Sequence, residues 1–308
     1  MGEPATVPLL SVVVPTYNHA PLLRHALGCL ATQTLAAEAY EVVVVDDGST
    51  DETPAVIAEA GTGRARVRGV HLERNRGRSV ARNEGIRAAR AAIVVFIDSD
   101  VLVRPDFLQR HLDLHHAAAR PVVGRGPVGT IPTPVLPARN PAGLMSAAFL
   151  TTANASVPRQ ALLDAGLFDE GFVWYGWEDF DLGLRLRARG LTRRFSREIV
   201  AFHVQPPSTF DPIGPDLARE EARARSALYF LQKHPGLSTR ILISDTAFHR
   251  ALHFLLSGAG FLTADRAPVI ARWLASRGFY TPALLAARGF LNWHYIRSLD
   301  RLRAMKGP

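Results

Sequence analysis

The chain has 308 residues, of which 47% are hydrophobic and 21% charged. This composition excludes intrinsic disorder as the main state and allows a large buried core. The net charge of +8 lies entirely in residues 215–308, which hold 14 basic and 6 acidic residues, because residues 1–214 hold 22 of each. The single cysteine, Cys29, excludes an internal disulfide and a thiolate zinc cluster, and it predicts a cytoplasmic location.

Strands and helices alternate through the first hundred residues. Continuous β-branched runs predict buried strands, and apolar residues at helical spacing predict the helices between them. The strands are expected at 11–15, 41–46, 67–72 and 92–97, and the helices at 20–34, 53–60 and 79–89. This order predicts an α/β fold with a mainly parallel sheet flanked by helices, whose ligands bind at the carboxyl ends of the strands.

The alternation weakens after Asp106. We expect helices at 107–118, 159–165 and 178–189, a strand at 199–203, and a loop over the Pro- and Gly-rich stretch 121–141. From about 216 to 305 the pattern is helical throughout, with breaks expected at Pro235, Pro268 and Pro282. The sequence therefore predicts two parts, residues 1–214 and a basic helical region at 215–308.

Two of the predicted strands run directly into acidic residues. One ends in Asp46 and Asp47, and the other in Asp98-Ser99-Asp100. In an extended chain Asp98 and Asp100 would point to the same side and face one ligand. Carboxylate oxygens suit Mg²⁺ or Mn²⁺ shared with a diphosphate. An Asp-x-Asp alone is more often a turn, but its place after a buried strand favours a metal site.

Five motifs in order resemble the family 2 glycosyltransferases, which have the GT-A (Rossmann-like) fold. They are VVVPTYN at 12–18, VDDGSTD at 45–51, NRG at 75–77 with ARNEG at 81–85, FIDSD at 96–100, and GWEDFDLGLR at 176–185. The resemblance spans residues 10–205. It implies an inverting, metal-dependent transfer of a sugar from a nucleoside-diphosphate sugar, with a UDP-sugar as the first choice, to an acceptor hydroxyl. Residues 1–105 would form the nucleotide-sugar half, and 106–214 the acceptor half.

The resemblance also implies which residues bind the nucleotide. Pro15, Thr16 and Tyr17 would line the base, and Asp47 would hydrogen-bond it. Arg82 would lie close to the base or the diphosphate. These roles are chemically reasonable, because a carboxylate can accept a hydrogen bond from a pyrimidine N–H and an aromatic side chain can stack on the ring.

The metal site implied by the resemblance centres on Asp100 as principal ligand of Mn²⁺ or Mg²⁺. Asp98 would contact the metal and the ribose or donor sugar, and Ser99 is assigned to the nucleotide. His203, at the end of a predicted strand, is a further candidate ligand, because imidazole suits Mn²⁺ better than Mg²⁺. A lone histidine in that position is more often structural.

A second acidic cluster, Glu178-Asp179-Phe180-Asp181, opens a predicted helix. Acids in a first turn are favoured by the helix dipole, which is the simplest explanation for all three. By resemblance, Asp179 is the general base that takes the proton of the attacking hydroxyl. Glu178 is the alternative base or binds the acceptor, and Asp181 is expected to hold the helix N-terminus.

Candidate sugar contacts lie on either side of this cluster. Trp177, with its neighbours Trp174 and Tyr175, could form an aromatic wall for the apolar faces of sugar rings. The resemblance suggests that residues 151–156 form a strand beside the donor sugar and that Asn154 touches it. The acceptor stays open among polysaccharide, lipid-linked sugar, protein and small natural product.

Other function classes fit the same residues less well. A nucleotidyltransferase should carry a Gly-rich basic loop after the first strand, where this chain has Pro15-Thr16-Tyr17-Asn18-His19. A non-catalytic nucleotide-sugar-binding scaffold should have lost some of the acids, which are all present. No nucleic-acid partner is expected, because no recognition motif accompanies the basic region.

Two interpretations of residues 215–308 stay open. No run of 18 uninterrupted apolar residues exists, so no transmembrane helix is expected. Basic residues interspersed with Trp, Tyr and Phe are typical of a region that lies peripherally on an anionic membrane, here on its cytosolic face. A helical cap over the preceding domain explains the same pattern.

Overall fold

The computed structural model of the protein describes residues 7–63, 65–140, 148–205 and 214–306. The chain divides into two compact units. The first comprises Met1–Gly171 and Glu178–Pro206, and the second comprises Phe172–Trp177 and Pro207–Pro308. The division into functional parts at residue 214 stays a prediction.

The first unit alternates strands with helices. Its strands are β1 (Leu10–Thr16), β2 (Tyr40–Asp46), β3 (Arg66–His71), β4 (Ile93–Phe96), β5 (Val101–Val103), β6 (Val122–Arg125), β7 (Val128–Ile131), β8 (Ala155–Pro158), β9 (Thr192–Phe195) and β10 (Ala201–Val204). Its helices are α1 (Ala20–Ala31), α2 (Thr53–Gly61), α3 (Arg78–Ala88), α4 (Phe107–His116), α5 (Arg159–Asp164) and α6 (Glu178–Ala188), with a short 3₁₀ helix at Ala37–Ala39.

The main sheet has seven strands in the order β3-β2-β1-β4-β8-β6-β9. Strands β1 to β4 are parallel, β8 is antiparallel to both of its neighbours, and β9 runs parallel to β6. A second sheet has the order β5-β10-β7. The prediction of an α/β fold with a mainly parallel sheet is confirmed.

Alternate residues of the central strand pack into different layers. Val12 and Val14 pack with Leu23 and Leu27 of α1, whereas Val13 packs with Ile86 of α3. All of these side chains are at most 5% exposed. Both faces of β1 are therefore covered, which explains why the strand is apolar without alternation.

The prediction of a loop over 121–141 is wrong, because this stretch contains β6 and β7. Gly126, between these two strands, allows its backbone to approach the backbone of Ile199 closely. A Cβ on Gly126 would lie 1.7 Å from the Ile199 carbonyl oxygen. Glycine in this stretch allows two segments of the fold to touch and does not mark a loop. Strand β9 was also missed.

Two further local predictions need correction. Asp98-Ser99-Asp100 is not extended but forms a turn, in which the Val101 N–H donates to the Asp98 carbonyl at 3.1 Å. The strand expected at 151–156 begins only at Ala155. The Asn154 N–H donates to the Thr151 carbonyl at 3.1 Å, so the preceding residues form a turn.

The second unit is helical, as predicted. Its helices are α7 (Gly214–Lys233), α8 (Leu237–Leu242), α9 (Ala247–Leu256), α10 (Arg266–Ser276) and α11 (Tyr280–Lys306). The break at Pro235 is confirmed. Pro268 and Pro282 instead lie in the first turns of α10 and α11, where proline is tolerated because its missing N–H has no helical partner. Over the described ranges, no helix has the length and hydropathy needed to cross a membrane.

Candidate active site

The candidate site lies at the carboxyl edge of the parallel strands. Thr16, the last residue of β1, pairs in register with Asp46, the last residue of β2. Strand β4 lies on the other side of β1 and ends at Phe96, two residues before Asp98. The segments that follow these strands therefore meet at one edge of the sheet, where ligands of parallel α/β sheets bind.

Asp47 fixes the loop that follows β3. Its carboxylate accepts hydrogen bonds from the backbone N–H groups of Arg76 at 2.7 Å and Gly77 at 2.8 Å. Burial raises the pKa of Asp47, and these two hydrogen bonds oppose the rise. Gly48 has φ of +75°, and a Cβ there would lie 2.5 Å from the Arg74 backbone. The tight contact between these two loops therefore requires glycine. The contact of Asp47 with a base stays a prediction.

The other residues assigned to the nucleotide differ in exposure. Tyr17 is 46% exposed. Thr16 is buried, and its Oγ1 has no hydrogen-bond partner among the described residues. Pro15, which precedes them, is partly buried. The buried Ser99 hydroxyl lies 2.9 Å from Nδ1 of His19, which ties the Asp98–Asp100 turn to the end of β1.

Arg82 of α3 connects three carboxylates. Its Nη1 donates to Glu178 Oε1 at 3.0 Å, its Nη2 donates to Asp98 Oδ1 at 3.1 Å, and Asp179 Oδ1 lies 3.7 Å from Nη1. The side chain is 5% exposed, and although burial alone would lower its pKa, the three carboxylates raise it. Arg78 lies 3.8 Å from Glu178. Arg82 therefore stays charged and holds the two acidic motifs together.

The two carboxylate oxygens of Asp179 differ in their hydrogen bonds. Its Oδ2 accepts hydrogen bonds from the Thr152 N–H at 2.9 Å and the Thr152 hydroxyl at 3.1 Å. Its Oδ1 is buried and has no hydrogen-bond partner among the described residues. Burial raises the pKa of Asp179 to about 6, although the charge on Arg82 opposes the rise. A carboxylate with this pKa and one oxygen that accepts no hydrogen bond can accept a proton near neutral pH.

Thr152 is the residue that the sequence did not identify. Its contact with Asp179 spans 27 positions, and it depends on the turn at 151–154 that had been predicted as strand. A threonine in a turn carries no sequence signal for this role.

Glu178 and Asp181 flank this carboxylate in the first turn of α6. Glu178 is 4% exposed, and its Oε2 has no partner among the described residues. Asp181 is fully buried and pairs with Arg185 at 2.6 Å. The role expected for Asp181 at the helix N-terminus stays a prediction.

Asp100 and His203 form the second polar group at this edge. Asp100 Oδ2 lies 2.9 Å from His203 Nε2, because β10 brings His203 opposite Val101 of β5. Asp100 Oδ1 is buried and has no hydrogen-bond partner in the described residues. Two oxygen or imidazole ligands completed by diphosphate oxygens are sufficient for Mg²⁺ or Mn²⁺. These two residues therefore fit a divalent cation.

The predicted three-residue metal set is not assembled. In the described parts of the chain, no three His, Cys, Asp or Glu side chains converge as metal ligands. The reason is that Asp98 turns to Arg82 instead of running alongside Asp100 in an extended chain.

The two residues predicted to touch sugar are occupied elsewhere. Asn154 is fully buried, and its amide nitrogen donates to the carbonyls of Pro127 at 2.9 Å and Ile199 at 2.7 Å. Trp177 belongs to the second unit, is 8% exposed, and stacks on Phe230 with ring centroids 5.5 Å apart. Neither side chain offers a surface to a ligand in this conformation. Trp174 is 42% exposed.

Comparisons with known proteins identify relatives of this chain. Residues 11–142 match the model of glycosyl transferase family 2. The chain is 35% identical over 279 residues to a validoxylamine A glucosyltransferase of Streptomyces hygroscopicus subsp. jinggangensis; the match covers 77% of this chain and 63% of that relative. This chain therefore spans less than two thirds of the length of that relative.

Solved structures show the same fold. The mannosyltransferase PcManGT from Pyrobaculum calidifontis, in complex with GDP-Man and Mn²⁺, has a TM-score of 0.65 at 19% identity, over 98% of this chain and 89% of that one. TarS 1–349 of S. aureus, in complex with UDP-GlcNAc, has a TM-score of 0.55 at 20% identity, over 96% of this chain and 92% of that one. By the motifs and the family match, residues 11–142 belong to glycosyl transferase family 2, and the chain shares the GT-A-like fold of these structures.

Proposed function

We propose that this protein transfers a sugar from a nucleoside-diphosphate sugar to an acceptor hydroxyl with inversion at the anomeric carbon, and that Asp179 is the general base. The observation that carries the proposal is the hydrogen bonding and burial of the Asp179 carboxylate. Thr152 fixes one of its oxygens with two hydrogen bonds, and burial raises its pKa to about 6. The other oxygen is buried 3.7 Å from Arg82 Nη1 and has no hydrogen-bond partner among the described residues. A structural carboxylate would be expected to use both oxygens.

In the proposed step, the acceptor oxygen attacks the anomeric carbon while Asp179 Oδ1 takes the hydroxyl proton. The bond from the anomeric carbon to the diphosphate oxygen breaks, and the nucleoside diphosphate leaves. One displacement inverts the configuration and needs no covalent intermediate. Arg82 acts as a positioning residue, because it holds Glu178 and Asp98 while its charge keeps Asp179 ionised near pH 7.

The proposal includes a divalent cation, Mn²⁺ or Mg²⁺, held by Asp100 and His203. When bound, this ion would neutralise the charge that develops on the diphosphate. The buried, unpaired Oδ1 of Asp100 supports this assignment. Asp98 would then contact the ribose or donor sugar through its second oxygen.

The residues proposed to bind the nucleotide lie at the carboxyl edge of the parallel strands, where ligands of α/β sheets bind. We propose that Tyr17 stacks on the base and that Pro15, Thr16, Asp47 and Ser99 line its pocket. The exposed ring of Tyr17 and the unpaired Thr16 hydroxyl support these roles. A UDP-sugar is the first donor to test, with an acceptor of glycan, glycolipid or glycoconjugate biosynthesis. A cytoplasmic location remains a prediction.

The test is release of nucleoside diphosphate from a panel of nucleotide sugars, with Mn²⁺ and with EDTA. The Asp179→Asn variant is compared with Asp164→Asn, a matched change at an exposed carboxylate. Metal-dependent release from one donor, lost only in Asp179→Asn, supports the proposal. Binding of a nucleotide sugar without turnover in the presence of every acceptor class would favour the scaffold alternative. Pyrophosphate release from a nucleoside triphosphate would favour the nucleotidyltransferase alternative.

A further inference from the structure

Large apolar side chains are exposed mainly in the second unit. Among the described residues, sixteen of those that are at least 36% exposed lie between Leu237 and Met305, compared with four in the first unit. Scattered exposed apolar residues are normal, but this concentration within one helical region is not. It indicates a surface that contacts something other than water.

Helix α9 shows the exposure of apolar side chains most clearly. No described residue of this helix is buried, although most of its residues are apolar. Phe248, Leu252 and Leu255 follow each other at positions i, i+4 and i+7, so they share one face. They are 71%, 36% and 68% exposed. An amphipathic helix normally turns this face inward, and here it stays in solvent.

Helices α10 and α11 carry exposed apolar residues on their outer faces as well. Ala267, Ala271 and Ala275 form the buried face of α10, which leaves Val269 and Trp273 on the other side at 57% and 52% exposed. On α11, Leu284 and Leu285 are exposed while Ala283 and Ala287 are buried.

Arginines accompany these exposed side chains. The Arg266 guanidinium lies 4.9 Å from the ring centre of Phe261, and that of Arg277 lies 5.2 Å from the ring of Trp273. Both rings are more than half exposed. Basic residues together with Trp, Phe and Leu are typical of helices that lie in the interface of a membrane.

The acids of this unit do not neutralise these arginines. Asp245 pairs with Arg250 and Arg303, and Glu221 pairs with Arg225 and Arg301. The arginines next to the exposed apolar residues form no ion pair with any described acid; they are Arg240, Arg266, Arg272, Arg277 and Arg288. The positive charge of the region is therefore concentrated with the apolar surface.

We propose that α8 to α11 dock on the surface of a bilayer that contains anionic phospholipid. The exposed apolar side chains would enter the headgroup boundary, and the unpaired arginines would contact lipid phosphates. The helices lie in the interface and do not span it, in agreement with the lack of a spanning helix among the described residues. No residue of this surface belongs to the unit that carries Asp179, so the inference stands apart from the proposed sugar transfer.

The experiment is vesicle flotation of the full chain, with phosphatidylcholine vesicles and with vesicles that also contain phosphatidylglycerol. The apolar variant is Phe248→Ser with Leu255→Ser, and the charge variant is Arg272→Gln with Arg277→Gln. Val135→Ser is the matched control, because Val135 is 69% exposed in the first unit. Thermal unfolding of each variant confirms that it is folded.

We expect binding to the anionic vesicles only, a loss of about tenfold or more in the partition coefficient for each double variant, and no change for the control. Added salt should weaken binding of the wild type. Equal binding by wild type and both variants would overturn the proposal. So would absence of vesicle binding together with a dimer that Phe248→Ser and Leu255→Ser dissociate, because a second copy would then cover this surface.

Discussion

Replacing Asp179 with asparagine tests the proposed base while leaving the shape of the site intact. Asparagine keeps an oxygen for the Thr152 N–H and hydroxyl, which lie 2.9 and 3.1 Å from Oδ2, but it cannot take a proton. General base catalysis contributes about 10²- to 10⁴-fold to rate, which corresponds to about 3 to 5 kcal/mol in the barrier. We expect kcat to fall by this factor, with KM for the donor nearly unchanged.

The raised pKa of Asp179 sets the pH dependence. With a pKa of about 6, roughly nine-tenths of the carboxylate is ionised at pH 7. The rate of the wild type should therefore be nearly flat above pH 7 and fall about tenfold per unit below pH 6. The residual rate of the Asp179→Asn variant should not show this fall below pH 6.

The same shift predicts the effect on stability. The folded-state pKa is raised above the ordinary value of 3.8, so the stabilisation from this group is complete below pH 3.8 and is lost as the pH rises through about 6. At pH 7 the ionised carboxylate costs the fold up to about 3 kcal/mol. Asp179→Asn should accordingly unfold at the same or a higher temperature than the wild type.

The assay combines pH–rate profiles with thermal unfolding of wild type, Asp179→Asn and the control Asp164→Asn. The reasoning would be refuted if Asp179→Asn kept more than about a tenth of the wild-type kcat. It would equally be refuted if the variant lost activity only because it unfolded at a lower temperature.

Four further predictions follow from particular contacts. Arg82→Lys should lower kcat about tenfold or more and also lower the melting temperature, because one ammonium cannot bind both Glu178 and Asp98 and leaves one carboxylate unpaired; steady-state kinetics and calorimetry test this. Gly126→Ala should destabilise the protein by about 3 kcal/mol or more, because its Cβ would lie 1.7 Å from a carbonyl oxygen, as measured by urea unfolding. Asp100→Asn should raise the Mn²⁺ concentration needed for half-maximal activity about tenfold or more, while EDTA stops turnover of the wild type. Burial would raise the pKa of Asp245, but its hydrogen bonds with Arg303 and Arg250 lower that pKa below its ordinary value of 3.8. The ionised carboxylate therefore stabilises the fold above pH 3.8, and this contribution is lost as the pH falls through the pKa of the folded state. Asp245→Asn should remove this acid-sensitive component of thermal stability, which melting curves at several pH values measure.

The parts of the fold that the sequence predicted are those where one physical signal dominates. Strands β1, β2 and β4 are buried on both faces, so their β-branched runs are continuous and unambiguous. Strands β6, β7 and β9 have four residues each and contain glycine or arginine. A run this short shows no period, and its pairing with distant segments decides its conformation.

The candidate site was predictable to the same degree. The acids at the strand ends and at the start of α6 could be identified from sequence. Burying a carboxylate in those places is unfavourable unless it binds a cation or a hydrogen-bond donor, so such acids indicate a site. Burial of Trp177 against Phe230, and of Asn154 between two carbonyls, depends on packing across 27 to 53 positions. An aromatic or amide side chain that binds sugar has the same local sequence as one that fills a core.

The most direct test of the account is the anomeric configuration of the transferred sugar, measured by proton NMR on the product of the active donor and its acceptor. A single displacement with Asp179 as base predicts a glycoside of inverted configuration. A product of retained configuration would contradict the single displacement, and nucleoside diphosphate released without any glycoside would contradict transfer itself.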